Sequence, residues 1–154
     1  MDTTTTRYAG SAIQVIALIF GIVFAIVGIA GFVPGLTHSA EHLGAAGAGS
    51  EAMLVGLFQV SVLHNIVHLL FAVAGILSAI GPAASRAYLL WGGVVYLVVW
   101  IYGLFAVGDD AINIIPVNHA DNWLHLGLAI VMILLGLLVG RAPRARPAEA
   151  PPLR

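Results

Sequence analysis

Residues 12–32 read AIQVIALIFGIVFAIVGIAGF, a run without Asp, Glu, Lys or Arg. An α-helix rises about 1.5 Å per residue, so about 20 apolar residues cross the hydrocarbon core of a bilayer. Three further charge-free runs of similar length follow. They do not alternate as the strands of a membrane β-barrel do. The pattern predicts four transmembrane helices, at about Ala12–Phe32, Val62–Ile80, Ala87–Val107 and His119–Gly140.

The composition agrees with a membrane protein. Of the 154 residues, 60% are hydrophobic and 8% are charged, whereas about a quarter of the residues in a soluble domain are charged. A net charge of -1 leaves no basic face for nucleic acid. The absence of cysteine excludes disulfides, thiolate zinc sites and iron–sulfur clusters. We therefore expect a lipid bilayer as the main partner and no nucleic acid.

The arginines predict the orientation. All six cations fall in the N-terminal tail, the link between helices two and three, and the C-terminal tail. The other two loops carry only acidic charges, so the positive-inside rule predicts that both termini are cytoplasmic. These features predict a multi-pass membrane protein. Residues 1–140 form the predicted transmembrane domain, and residues 141–154 a disordered, basic, proline-rich cytoplasmic tail.

An internal repeat relates the two halves of the chain. Residues 61–69 (SVLHNIVHL) align with residues 118–126 (NHADNWLHL). Gly21 and Gly31 in helix one have the same separation as Gly93 and Gly103 in helix three. The predicted fold class is therefore an all-α membrane protein of two parallel hairpins related by an axis along the membrane normal.

The repeated motif places polar residues on one face of helices two and four. Its members are spaced i, i+3, i+4, i+7, which is a single stripe on a helix. Ser61 and Asn118 are predicted N-caps. Since polar groups facing lipid are costly, the two stripes are expected to face each other in the outer half of the bundle. The predicted polar cluster contains His64, Asn65, His68, Asp121, Asn122 and His125.

The segment EAMLVGLFQV, residues 51–60, precedes the Ser61 cap. If Ser61 starts helix two, this segment is expected to form a short interfacial or re-entrant helix. Otherwise helix two runs through it as one long tilted helix.

Four roles for the polar cluster follow from its side chains. Asparagines and neutral imidazoles form hydrogen-bond networks that join helices. Three imidazoles and a carboxylate suit zinc, with His64, His68, His125 and Asp121 as the candidate ligands. A haem held by the repeat-equivalent His68 and His125 is a third possibility. A proton or ion path is the fourth, since titratable groups in a membrane are functional candidates.

No enzyme signature accompanies the cluster. In HNIVH, residues 64–68, Asn65 replaces the glutamate of the H-E-x-x-H protease motif. Neither a G-x-S-x-G elbow nor a phosphate-binding glycine loop is present. We therefore predict a small structural or partner-binding bundle that assembles with itself or another membrane protein. The alternative is a metal- or haem-binding protein with a metal-dependent activity at the outer leaflet.

Several segments resemble one family of small bacterial four-helix membrane proteins, catalogued as a domain of unknown function. They are Arg7, GFVPG at residues 31–35, LFQVSVLHNIVHLLFAVAG at 57–75, RAY at 86–88 and NHADNWLHL at 118–126. The pair HNxxHL and DNxLHL is the most specific part. Ser61 departs from the asparagine expected at that position. The resemblance implies the four-helix membrane fold and a location in the bacterial inner membrane, and it carries no activity. The lack of lysine beside abundant Ala, Gly, Arg and Pro also fits a GC-rich bacterial genome.

Overall fold

The computed structural model describes residues 7–139. Within them the helices are α1 (Ala12–Ala30), α2 (Val62–Ser78), α3 (Pro82–Ala106) and α4 (His119–Leu138). Three of these four, α1, α3 and α4, are long and apolar enough to cross a membrane. The predicted C-terminal tail and the predicted end of helix four at Gly140 lie outside the described residues.

The helix ends differ slightly from those predicted. α1 ends at Ala30 and α2 at Ser78. The N–H groups of Phe32 and Ala79 bond to carbonyls three residues back, which tightens the turn at each end. α3 begins at Pro82 and not at Ala87. Proline has a fixed φ and no N–H, so it suits the first position of a helix. Arg86 therefore lies within α3 and not in the preceding link.

α1 and α2 form an antiparallel hairpin. At one end, the Gln14 side-chain amide donates to the Ala79 carbonyl at 2.8 Å. Midway along, the two backbones meet at glycines, since a Cβ added to Gly75 would lie 2.8 Å from the Cα of Gly21. Such close approach between helices requires small residues. At the far end, Gly31 contacts the side chain of Asn65.

α3 and α4 form a second antiparallel hairpin with corresponding contacts. A Cβ added to Gly93 would lie 3.1 Å from the Ala129 carbonyl oxygen. Gly103 contacts the side chain of Asn122. We call the surface between the two hairpins the seam, and its centre is a face-to-face stack of Phe24 on Tyr96 with ring centroids 5.6 Å apart.

The loop between α1 and α2 contains a small antiparallel sheet of β1 (Thr37–His38), β2 (Met53–Leu54) and β3 (Phe58–Gln59). Both helical predictions for residues 51–60 are therefore wrong. Val55 and Gly56, at the turn between β2 and β3, have φ values of 47° and 70°. Two residues with positive φ form the tight turn that suits a hairpin and stop a helix.

Candidate metal centre

The first turns of α2 and α4 are held by their N-caps. The Ser61 hydroxyl accepts the His64 backbone N–H at 3.1 Å. In α4 the Asn118 side chain accepts the Asp121 N–H at 3.0 Å, and the Asp121 carboxylate accepts the Asn118 N–H at 3.0 Å. These caps fix the depth at which the next helical turns present their polar side chains.

Three histidines converge inside the bundle. His64 and His68 lie one turn apart on α2, with ring centroids 4.7 Å apart. His125 reaches them across the seam from α4, with its ring 6.0 Å from that of His64. Each of the three offers one nitrogen within 4.8 Å of the others. All three are buried, with at most 9% of the surface of any one exposed.

The orientation of His64 is set by the second hairpin. Its Nδ1 lies 3.1 Å from the carbonyl oxygen of Pro116. A carbonyl only accepts a hydrogen bond, so Nδ1 carries the proton and Nε2 keeps a free lone pair. This arrangement orients histidine ligands in many metalloproteins.

His68 and His125 each have an unpaired ring nitrogen. Their Nδ1 atoms are buried and have no hydrogen-bond partner among residues 7–139. Each ring packs on an aromatic residue: His68 lies 5.8 Å from Phe24, and His125 lies 5.4 Å from Tyr96. A buried polar atom without a partner costs about 1–3 kcal/mol. A metal ion is one kind of partner that an imidazole nitrogen binds through its lone pair.

Asp121 is not part of the three-histidine group. One oxygen of its carboxylate accepts the backbone N–H of Gln59 at 2.9 Å, in addition to that of Asn118. Asp121 therefore joins the loop sheet to α4 and is already engaged. It occupies the position in α4 that His64 occupies in α2.

The asparagines do not meet the histidines across the seam. Asn65 packs against Gly31 and Asn122 against Gly103, each within its own hairpin. Three of their side-chain amide atoms have no hydrogen-bond partner in the described part of the chain: the nitrogen and the oxygen of Asn65, and the oxygen of Asn122. The expected network of asparagines and imidazoles that satisfy one another is therefore wrong.

Two apolar clefts adjoin the histidines on opposite sides of the bundle. The α2–α3 cleft has a volume of about 410 Å³ and contacts all three histidines. The α1–α4 cleft has a volume of about 480 Å³ and contacts His68, His125 and Asp121. Their helix linings correspond position by position: Val95 and Val23, Tyr96 and Phe24, Val98 and Ile26, Val99 and Val27, Tyr102 and Ala30.

Some residues of the site were missed in the sequence. Pro116 and Gln59 bond to the site through their backbones, so their side chains gave no sign of this role. The available signal was that each lies two residues before the N-cap of its motif. Phe24 and Tyr96 occupy equivalent positions in helices one and three, and this correspondence was the available signal.

The comparisons with known proteins identify a family without an activity. No curated protein and no solved structure matches the chain. The model of a family described as a domain of unknown function, DUF4383, matches residues 14–138. Since that match covers most of the sequence, the chain belongs to the DUF4383 family.

Proposed function

We propose that this protein is a metal-binding integral membrane protein that holds one zinc ion between His64, His68 and His125. The observation that carries the proposal is the convergence of three buried imidazoles, two of which have an unpaired buried nitrogen. A buried polar atom is normally satisfied. One ion bound by all three rings would satisfy the group at once.

The ligand set favours zinc with one open position. Imidazole is a good ligand for zinc, copper, iron and nickel. Zinc takes four ligands at about 2.0–2.1 Å from nitrogen, and three protein ligands plus one exchangeable ligand is the arrangement of catalytic zinc sites. The candidate nitrogens lie within 4.8 Å of one another, and the three rings would have to draw together to the spacing of about 3.3 Å between the nitrogens of a tetrahedral zinc site. Asp121 stays outside the ligand set because two backbone N–H groups hold its carboxylate.

A purely structural role for the cluster leaves part of it unexplained. Among residues 7–139 the cluster makes two hydrogen bonds between the hairpins, His64 to the Pro116 carbonyl and the Gln59 N–H to Asp121. The Nδ1 atoms of His68 and His125 take part in neither bond and have no partner among these residues. A haem on His68 and His125 would need a porphyrin plane within the seam. There the Phe24–Tyr96 stack, with rings 5.6 Å apart, fills the space beside the histidines. Assembly with itself or another membrane protein stays a prediction.

We further propose that all four helices cross the membrane. At 17 residues α2 is short for a span, but membrane helices begin at about 17 residues. It also lies antiparallel to α1 along its whole length, from the contact of Gln14 with Ala79 to that of Gly31 with Asn65. A helix paired in this way crosses the same thickness as its partner.

The charge distribution supports cytoplasmic termini. Arg7 and Arg86 lie at the end of the bundle where α1 and α3 begin, whereas Glu41, Glu51 and Asp109 lie in loops at the opposite end. The positive-inside rule assigns the arginine end to the cytoplasm. The histidines then lie in the outer half of a bacterial inner-membrane protein.

An internal duplication accounts for the paired contacts. Gly21 packs against Ala72 and Ile76, and Gly93 packs against Ala129 and Ile133, which occupy the same positions in the second half. The two clefts correspond in the same way. We propose that the bundle is two parallel hairpins related by an axis along the membrane normal.

Elemental analysis tests the metal proposal. Protein purified in detergent without chelators and without a histidine tag should contain about one zinc per chain. His68→Ala and His125→Ala should each abolish stoichiometric zinc. His119→Ala is the matched control, since His119 is exposed on α4, and it should retain the ion. Metal-free wild type that takes up no zinc on dialysis, or zinc retained in His125→Ala, would overturn the proposal.

A further inference from the structure

Resting on the proposed metal centre, we infer that the α2–α3 cleft binds a single-chain lipid carboxylate, whose headgroup takes the open position on the metal. The three ligands and the cleft lining both belong to this chain, so the site is complete in one copy.

The charge at the site calls for an anion. Three neutral imidazoles leave the two positive charges of zinc uncompensated, and a buried charge requires a partner. None of the described residues that line the α2–α3 cleft is acidic. Asp121 lines the other cleft, and its carboxylate already accepts two backbone N–H groups. An anionic ligand at the open position would supply a compensating negative charge directly on the metal.

The shape of the cleft fits one hydrocarbon chain. Its lining is almost entirely apolar, and the three histidines lie within it, with Ile114 and Ile115 on the loop side and Phe71 deeper along α2. The cleft volume of about 410 Å³ is more than ten times the roughly 30 Å³ that one water molecule takes in the liquid, which leaves room for an acyl chain. Val95 and Val98, at its mouth, are exposed on the outer surface of α3. This mouth would admit a lipid sideways from the bilayer.

Cobalt spectroscopy tests the inference without requiring an activity. Co²⁺ replaces zinc in tetrahedral sites, and its visible bands respond to exchange of the fourth ligand. We expect myristate to change the spectrum of the Co²⁺-loaded protein in nanodiscs saturably, and 1-tetradecanol to have no effect. A response to tetradecanol would overturn the charge argument. Tighter binding of tetradecyl phosphate than of myristate would overturn the choice of carboxylate.

The two corresponding clefts provide matched variants. Val99→Trp narrows the α2–α3 cleft and should weaken myristate binding by about tenfold or more. Val27→Trp changes the equivalent, half-buried position in the α1–α4 cleft and should leave the affinity within about twofold. The reverse result would overturn the assignment of the cleft. If Val99→Trp does not fold, Val95→Phe with Val23→Phe as control makes the same comparison.

The failures of the two proposals are distinguishable. Wild type that binds no Co²⁺ and no zinc contradicts the metal centre itself. Wild type that binds one Co²⁺ and gives no spectral change with myristate contradicts the lipid inference alone. Retained Co²⁺ in Val99→Trp establishes that this variant is folded.

Discussion

The two hairpins share their packing and differ in their polar chemistry. Both place a glycine of the first helix against the second, and both end with an asparagine against a glycine. At one position they diverge: α2 carries His64, and α4 carries Asp121. His64 bonds to the Pro116 carbonyl and Asp121 to the Gln59 N–H, from opposite hairpins.

Each of these two side chains matches the backbone group that it meets. Proline has no backbone N–H, so position 116 can only accept a hydrogen bond, and its partner must be a donor such as imidazole. Gln59 offers an N–H, which suits a carboxylate. The exchange keeps both contacts between the hairpins and gives the α2–α3 side a third imidazole. The difference at this one position thus supplies the third histidine of the candidate metal site, while the glycine contacts within the two hairpins remain alike.

The largest effect on stability is expected where the two helices of each hairpin cross. Gly21→Ala should lower the free energy of unfolding by about 2–3 kcal/mol, because overpacking forces backbones apart and its Cβ would lie 2.7 Å from the Ile76 backbone nitrogen. Gly93→Ala should cost less, since its closest clash is with the Ile133 side chain. Unfolding in mixed micelles, followed by circular dichroism, measures both.

Gly127→Ala is the control for these two changes. Gly127 also lies in a helix, and an added Cβ would meet nothing within 4 Å among the described residues. It should change stability by less than about 0.5 kcal/mol. Equal effects at Gly21 and Gly127 would contradict the close approach of α1 and α2.

A second, smaller effect on stability tests whether the residue at position 64 is matched to the backbone group of residue 116. His64→Asp should destabilise the fold by about 1–3 kcal/mol, because a carboxylate cannot donate to the Pro116 carbonyl. Adding Pro116→Ala restores an N–H and should recover about 1 kcal/mol, measured as the coupling in a double-mutant cycle. Simple additivity of the two changes would show that the bond between the hairpins does not determine the residue at position 64.

The corresponding contact in the second half should be more tolerant. Asp121→Asn keeps an oxygen that accepts the N–H groups of Gln59 and Asn118, so the loss should stay below about 1 kcal/mol. Asp121→Ala removes that acceptor and should cost about 1–2 kcal/mol. Both variants should keep stoichiometric zinc, and loss of zinc in Asp121→Asn would make Asp121 a ligand.

The smallest effect is expected at the centre of the seam. Tyr96→Phe makes the aromatic stack identical in both halves and keeps the ring contacts with Phe24 and His125. Unfolding free energy should change by less than about 0.5 kcal/mol, with zinc content unchanged. A loss of zinc would mean that the Tyr96 hydroxyl takes part in the metal site.

Local patterns in the sequence account for the four helices and for the starts of α1, α2 and α4. Charge-free runs predict helices because the bilayer leaves few alternatives. The Ser61 and Asn118 caps follow from spacing within a single turn. The family was likewise recognised from the two histidine motifs, and that recognition is confirmed.

Features that depend on long-range packing could not be predicted in the same way. EAMLVGLFQV is apolar and resembles a helix, but Val55 and Gly56 turn with positive φ to pack Leu54 under the loop. The i, i+3, i+4, i+7 spacing predicted that the polar residues of α2 face one neighbour. The stripe is wide enough to face two, because Asn65 packs against α1 while the histidines face the seam. The clefts are formed by separate helices and leave no local trace in the sequence.

X-ray absorption at the zinc edge tests the central claim most directly, on protein isolated from membranes without added chelator. We predict three imidazole nitrogens at about 2.0 Å and one further light ligand, with the imidazole signal lost in His68→Ala and unchanged in His119→Ala. A shell of oxygen ligands alone, or an unchanged spectrum in His68→Ala, would contradict a metal centre at His64, His68 and His125.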